Sequence, residues 1–200
     1  MISFQCAWLL NYYPAEWMAS VLSHESEKKK EQAINTAKSF GFNIETLNIN
    51  TSGETWEISA DGKTLIQPLS SIKGLGDKAI EQIIDNRPFE TIEDLLFDEN
   101  IVYSKLNKKA LDVLVRSQTL NCLMDERFTG MRHFWMAVAN DRPKTRKALE
   151  KNIENYAVEG DMLLQEKVEY LSDLTGMFPM DMVLSEKSRD KLDELYVPSI

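Results

Sequence analysis

At 200 residues the chain is long enough for one large domain or two small ones, each with its own core. Its 43% hydrophobic and 28% charged content excludes wholesale disorder, and its apolar runs fall far short of the ~20 residues of a membrane span. A net charge of −9 excludes coating a polyanion by bulk attraction, so any such contact must be local or completed by a larger assembly.

The N-terminus, Met1-Ile2-Ser3-Phe4-Gln5-Cys6-Ala7-Trp8, lacks a basic leader, and the expected location is cytoplasmic with no membrane contact. Cys6 and Cys122 lie far apart and read as two free thiols. Ala7 to Asn11 continues an apolar helix that Tyr13-Pro14 interrupts. Pro14 then opens a helix carrying Trp17, Met18, Val21 and Leu22 on one side. After the charged run Glu25 to Gln32, Ala33, Ile34, Ala37 and Phe40 keep helical spacing until Gly41. Gly41 to Ile49 alternates as a short strand does. Trp56, Ile58 and Leu65 flank the Asp61-Gly62 turn signal of a β-hairpin.

From Pro68 to about Leu120 the pattern becomes short helices and tight turns. Phe128 to Ala139, rich in aromatics and methionine, reads as a packed helix. Pro143 opens another through Tyr156, and Leu163 to Leu174 follows, closed at Gly176. Ser188 to Tyr196 forms a last short helix that Val197-Pro198 ends. His24 and His133 stand without metal-ligand companions and read as surface or interface residues.

The chemistry concentrates in Leu69 to Ile84. Here a short helix ends near Ile72, Gly74 and Gly76 flank Leu75, and a second helix starts near Asp77. The glycines free the backbone and leave no side chain to obstruct an anion, while Leu75 turns inward to staple the helices. The amides at the start of the second helix, with Lys73 and Lys78 beside them, make an anion site. Ala79 allows a close crossing, and Ile80, Ile83 and Ile84 form the buried face. This is the pattern of a helix-hairpin-helix, which grips DNA phosphates without reading bases. A plain helical corner would need the same glycines.

A second copy follows from Tyr103 to Leu114. Leu106 takes the stapling place, Ala110 repeats Ala79, and Asn107 stands where a glycine would, as a residue tolerant of left-handed backbone. Lys105, Lys108, Lys109 and Arg116 face only Asp112, so the stretch is locally basic. Phosphate contact and a solvated helix face are its two readings.

The order of these motifs resembles the C-family replicative polymerase, the alpha subunit of bacterial DNA polymerase III. Ser3-Phe4-Gln5-Cys6-Ala7-Trp8-Leu9 and Tyr13-Pro14-Ala15-Glu16-Trp17-Met18 are similar to the family's fingers. The resemblance continues through Asn50-Thr51-Ser52, Ile72-Lys73-Gly74-Leu75-Gly76, Arg87-Pro88-Phe89, Ile92-Glu93-Asp94-Leu95 and Leu106-Asn107-Lys108-Lys109-Ala110-Leu111. It is good from Ile2 to about Leu123 and thin afterwards. The chain departs at Leu47-Asn48-Ile49, where the family has a proline pair, and at Gln118-Thr119, where a glycine and alanine usually close the second hairpin. A divergent phage-type member fits these departures.

The resemblance implies a non-catalytic portion of a replicative DNA polymerase that binds duplex template-primer DNA. Its DNA-binding residues are Lys73, Gly74, Leu75, Gly76, Lys78, Lys105, Asn107, Lys108 and Lys109. No catalytic residue, metal ligand or cofactor is expected here, since Mg2+ belongs to the palm, upstream of this segment. Met1 falls within what should be one fingers helix, so Phe4, Trp8 and Leu9 are expected to present an apolar face. The partners implied are duplex DNA and the remaining palm and OB parts of the polymerase, as a separate chain or as missing sequence.

The expected fold is mainly α with a small β-hairpin. Its parts are a polymerase fingers remnant (1–41), a small α+β connector (42–67), a tandem helix-hairpin-helix module (68–123) and a helical tail (124–200). The competing readings are a standalone helix-hairpin-helix accessory or repair protein and a protein-interaction scaffold.

Overall fold

The computed structural model describes residues 2–184. The expected helix from Ser188 to Tyr196 and its stop at Val197-Pro198 lie outside the described residues. The fold is mainly α with minor β content, as the sequence predicts. Helices α1 (Ile2–Tyr12) and α2 (Pro14–His24) meet at Tyr13, and Pro14 occupies the first turn of α2. The charged run breaks the chain, because Glu25 is extended and a 3-10 turn at Glu27–Lys29 precedes α3 (Lys30–Ser39). Phe40, predicted at the helical spacing, is exposed, and Phe42 beyond Gly41 is buried instead.

The β-hairpin forms from β2 (Glu57–Ile58) and β3 (Thr64–Ile66), paired antiparallel with Ile58 opposite Leu65. Asp61 Oδ1 accepts the amides of Lys63 and Thr64, and Gly62 has φ +66, which closes the turn. A third strand, β1 (Asn43–Glu45), adds parallel to β3, so the sheet order is β1-β3-β2. One apolar cluster joins this sheet to α2 and α3 through Leu22, Ile34, Trp56 and Leu65.

A larger cluster runs from Leu47 to Leu174. It holds α4 (Asp77–Asp85), α5 (Ile92–Phe97), α6 (Lys108–Arg116), α7 (Met131–Trp135), α8 (Arg146–Tyr156) and α9 (Leu164–Thr175). A four-residue α10 (Met180–Val183) follows. Helix α5 carries a capping box, with Thr91 accepting the Asp94 amide and Asp94 accepting the Thr91 amide.

The predicted packed helix at Phe128–Ala139 is α7, begun after Gly130 and continued as a π-helical turn over Met136–Asn140. Buried Asn152 supports that turn, donating from Nδ2 to the carbonyls of Ala137 (3.1 Å) and Asp141 (2.6 Å). Two expectations need correction. Pro143 does not open α8; Thr145 does, accepting the Ala148 amide on its hydroxyl. His133 is not a surface residue: it is fully buried, with Nδ1 accepting the Thr129 amide (3.0 Å) and Nε2 donating to the Ile153 carbonyl (2.8 Å). The Thr129 hydroxyl also lies 3.2 Å from Nδ1, four residues before the ring.

Asp161 pins the start of α7. Its Oδ1 accepts the amides of Met131 (2.9 Å) and Met162 (2.8 Å), and Oδ2 pairs with Lys167 Nζ (2.6 Å). Burial alone would raise its pKa, but the hydrogen bonds from Lys167, Met131 and Met162 outweigh it and hold the carboxyl below its usual value. The stabilisation is therefore present above about pH 4 and lost as pH falls through the lowered folded value. Asp161→Asn should cost about 1 kcal/mol at pH 7, a deficit that narrows toward pH 3 in urea titrations run across that range.

Helix α6 ends in a Schellman motif: the Thr119 amide donates to Leu114 O (3.1 Å) and the Gln118 amide to Val115 O (2.9 Å). Gln118 occupies the left-handed position at φ +62, the one non-glycine described residue with positive φ. It stands where the resembled family places glycine. Gln118→Gly should relieve about 0.5–1 kcal/mol of backbone strain net of the added unfolded-state entropy, raising Tm by a few degrees in a thermal melt.

Candidate nucleic-acid interface

The first hairpin is built as its sequence predicts. A 3-10 turn over Leu69–Ser71 leads to Ile72, the Leu75 amide returns to Ile72 O (3.2 Å), and α4 starts at Asp77. Gly74 sits at φ +89, where an L side chain is strained. Leu75, Ala79, Ile80 and Ile83 are buried, Ile83 completely, and Ile84 partly. Behind the loop, the Lys73 amide donates to Leu174 O (2.8 Å), one of the orphan carbonyls at the end of α9.

The second hairpin also leads from a tight turn into a helix, but by different chemistry. The amides of Lys105 and Leu106 both return to Val102 O, and α6 begins at Lys108. Asn107 does not adopt the left-handed conformation expected of it. At φ −78 and ψ 176 it is the N-cap of α6, and its Oδ1 accepts the Ala110 amide (3.0 Å). Its counterpart Gly76 is also extended (φ −86, ψ 152), so this position never needed a glycine backbone. The glycine that does, Gly74, is matched in the second hairpin by Lys105, whose φ is not positive.

The two hairpins open onto one cleft of about 560 Å3. Its walls include Gly74, Gly76 and Lys78 from the first hairpin and Lys105, Asn107 and Lys109 from the second, all exposed. Val102, Ser104, Ala79 and Ala110 complete it. Helix α6 lies directly against the first loop: a Cβ placed on Gly74 would stand 3.6 Å from Val113 Cγ1 and 3.8 Å from Lys109 Cε. Of the other residues singled out from sequence, Lys73 and Lys108 are exposed outside the cleft lining, and Leu75 points into the core. Ser104 and Val102 were missed, since neither matches the motif and only the turn brings them to the cleft.

Backbone donors dominate the cleft. Among the described residues, the amides of Gly76, Asp77 and Lys78 have no protein acceptor, and neither do those of Asn107, Lys108 and Lys109. Each set lies at the positive end of a nine-residue helix. With the ammonium groups of Lys78, Lys105 and Lys109 nearby, the cleft suits two anionic oxygens or groups of oxygens.

A second surface lies on α1, where Phe4 (73% exposed), Trp8 (46%) and Tyr12 (63%) face solvent. The Trp8 ring packs at 5.2 Å from Tyr12 and 5.6 Å from Tyr13. Among the described residues, no three His, Cys, Asp or Glu side chains converge to hold a metal ion, and no helix is long and apolar enough to cross a membrane.

Comparison with known proteins agrees with this geometry. The helix-hairpin-helix motif family matches residues 41–130, a span that takes in both hairpins. The DNA polymerase III subunit alpha of Pseudomonas fluorescens is 31% identical over 126 residues, covering 62% of this chain and 11% of that protein. The Helicobacter pylori (strain 26695) subunit is 33% identical over 135 residues, again 62% and 11%. The Chlamydia pneumoniae subunit aligns with 94% of the chain at 26% identity, over 17% of its own length. The chain thus carries a helix-hairpin-helix motif. It is homologous, at low identity, to a segment of DNA polymerase III alpha subunits, and it spans about a tenth of the length of the first relatives it matches.

Proposed function

We propose that this chain is the duplex-holding, non-catalytic portion of a replicative DNA polymerase, gripping template-primer DNA by its backbone phosphates. The observation that carries the reading is the convergence of both hairpins on one cleft, each presenting three unclaimed amides at a helix N-terminus. Homology to DNA polymerase III alpha subunits supplies the context of replication.

In this reading Gly76 and Gly74 let a phosphate approach the backbone, and Lys78, Lys105 and Lys109 add charge at the cleft. Asn107 shapes the second donor set as a helix cap. Lys73 and Lys108 neutralise phosphates on either flank, while Leu75 holds the loop from inside. The palm, with its metal-binding carboxylates, and the OB part belong to the rest of the polymerase. The charge-free α1 is where that remainder docks, because Phe4, Trp8 and Tyr12 together leave exposed apolar surface that needs a cover. Residues 1–41, 42–67, 68–123 and 124–200 serve as fingers-like segment, connector, hairpin module and tail.

Gly76 is the best place to test the grip. Its φ is ordinary and a Cβ there meets nothing within 4 Å, so Gly76→Val should fold normally while filling the anion site. Binding of a short duplex at low salt should weaken about tenfold or more, measured by fluorescence anisotropy with circular dichroism as the fold control. Wild-type affinity in a folded Gly76→Val protein would sink the reading.

Lys105→Gln and Lys109→Gln should each flatten the slope of log K against log salt by about 0.9. Duplexes of scrambled sequence should bind alike. Strong preference for one sequence, or slopes that do not move, would point to a different surface.

A further inference from the structure

The second hairpin is held from behind by an arginine that lies beyond the span matched by the helix-hairpin-helix family. Arg142 follows the π-helical turn and is only 8% exposed. Its Nη1 donates to the carbonyls of Tyr103 (3.1 Å) and Leu106, and its guanidinium lies 3.7 Å from the centre of the Tyr103 ring. Among the described residues no carboxylate is within ion-pair distance of it, and its buried Nε has no acceptor. A buried cation with no counter-anion is costly, and such a group is usually retained for a purpose other than stability.

The purpose follows from peptide geometry. In a trans peptide the carbonyl and the next residue's amide point in opposite directions. Drawing Tyr103 O and Leu106 O back toward Arg142 therefore turns the amides of Ser104 and Asn107 outward. Both residues line the cleft, and among the described residues neither amide has a protein acceptor. A cation on the oxygen end also polarises each peptide unit and strengthens its N–H as a donor.

We propose that Arg142 is a positioning residue for the second phosphate site: it aims and polarises the Ser104 and Asn107 amides toward a DNA phosphate oxygen without touching the DNA. The inference rests on the duplex-holding function proposed above and adds Ser104 to its donors. It also assigns a role in DNA binding to a tail residue outside the hairpin motif.

The test uses the full chain, 15N-labelled and titrated with a short duplex, with amide shifts read residue by residue. In the wild type, the amides of Gly76, Asp77, Lys78, Ser104 and Asn107 should all move downfield. Arg142→Gln, neutral but able to keep one donor, should lose most of the response at Ser104 and Asn107 and weaken binding about five- to tenfold. The response at Gly76–Lys78 should persist. Arg142→Lys should fall between the two and decides the matter alone if Arg142→Gln does not fold.

A residue that merely packed would not confine its effect to two amides. Wild-type responses at Ser104 and Asn107 in either folded variant would overturn the proposal. A first hairpin that responds in the wild type while Ser104 and Asn107 stay silent would overturn it too, leaving the duplex-holding function intact. Silence at both hairpins in the wild type would remove the function and the inference together.

Discussion

Every amide that faces the cleft belongs to a peptide unit whose carbonyl must go elsewhere, and a buried carbonyl must find a donor. That constraint organises the whole module. At the second hairpin the inward carbonyls meet Arg142. At the first, the loop is tied to the end of α9 by the Lys73 amide and Leu174 O. The chain after residue 124 thus does more than add apolar surface: Arg142 takes two inward carbonyls of the second hairpin, and the Leu174 carbonyl takes the Lys73 amide behind the first. At the second hairpin the open amides of Ser104 and Asn107 belong to peptide units whose carbonyls Arg142 occupies.

The two hairpins show two ways of reaching one arrangement. In the first, the Ala79 amide is taken by the backbone oxygen of Gly76 (2.8 Å); in the second, the Ala110 amide is taken by the side-chain oxygen of Asn107 (3.0 Å). Both leave three preceding amides open. The glycine version exposes the backbone fully, and the asparagine version trades some of that access for a firmer helix start. Ala79 and Ala110 stand at equivalent places because each lies next to the cleft and the core at once, where a larger side chain would fill one or strain the other.

Much of this was legible in the chain. Isoleucine spacing after Gly76 marked the buried face of α4, Asp61-Gly62 marked the β-hairpin, and Leu75 and Leu106 marked the two staples. The parallel addition of β1 was harder to see, because Asn43–Glu45 is too short for a hydrophobic pattern and its pairing is set by distant Thr64–Ile66. Asn107 misled because asparagine suits both left-handed turns and helix caps; only the Ala110 amide decides between them. His133 and Arg142 were opaque for a shared reason. Most of their hydrogen bonds go to main-chain atoms of Thr129, Ile153, Tyr103 and Leu106, and main-chain atoms leave no trace in residue identity.

The placement of α6 against Gly74 has a further consequence. The amide donors on both sides are fixed backbone groups, so those contacts freeze no side-chain freedom when an anion arrives. The two donor sets sit on helices α4 and α6, whose buried faces share one apolar cluster that includes Ile83, Leu111 and Leu114. Under the proposed function the core then acts as a caliper, admitting a nucleic acid by the pitch of its backbone. A methylene gained or lost in that packing would change which helical geometry fits, with no alteration at the surface the DNA touches.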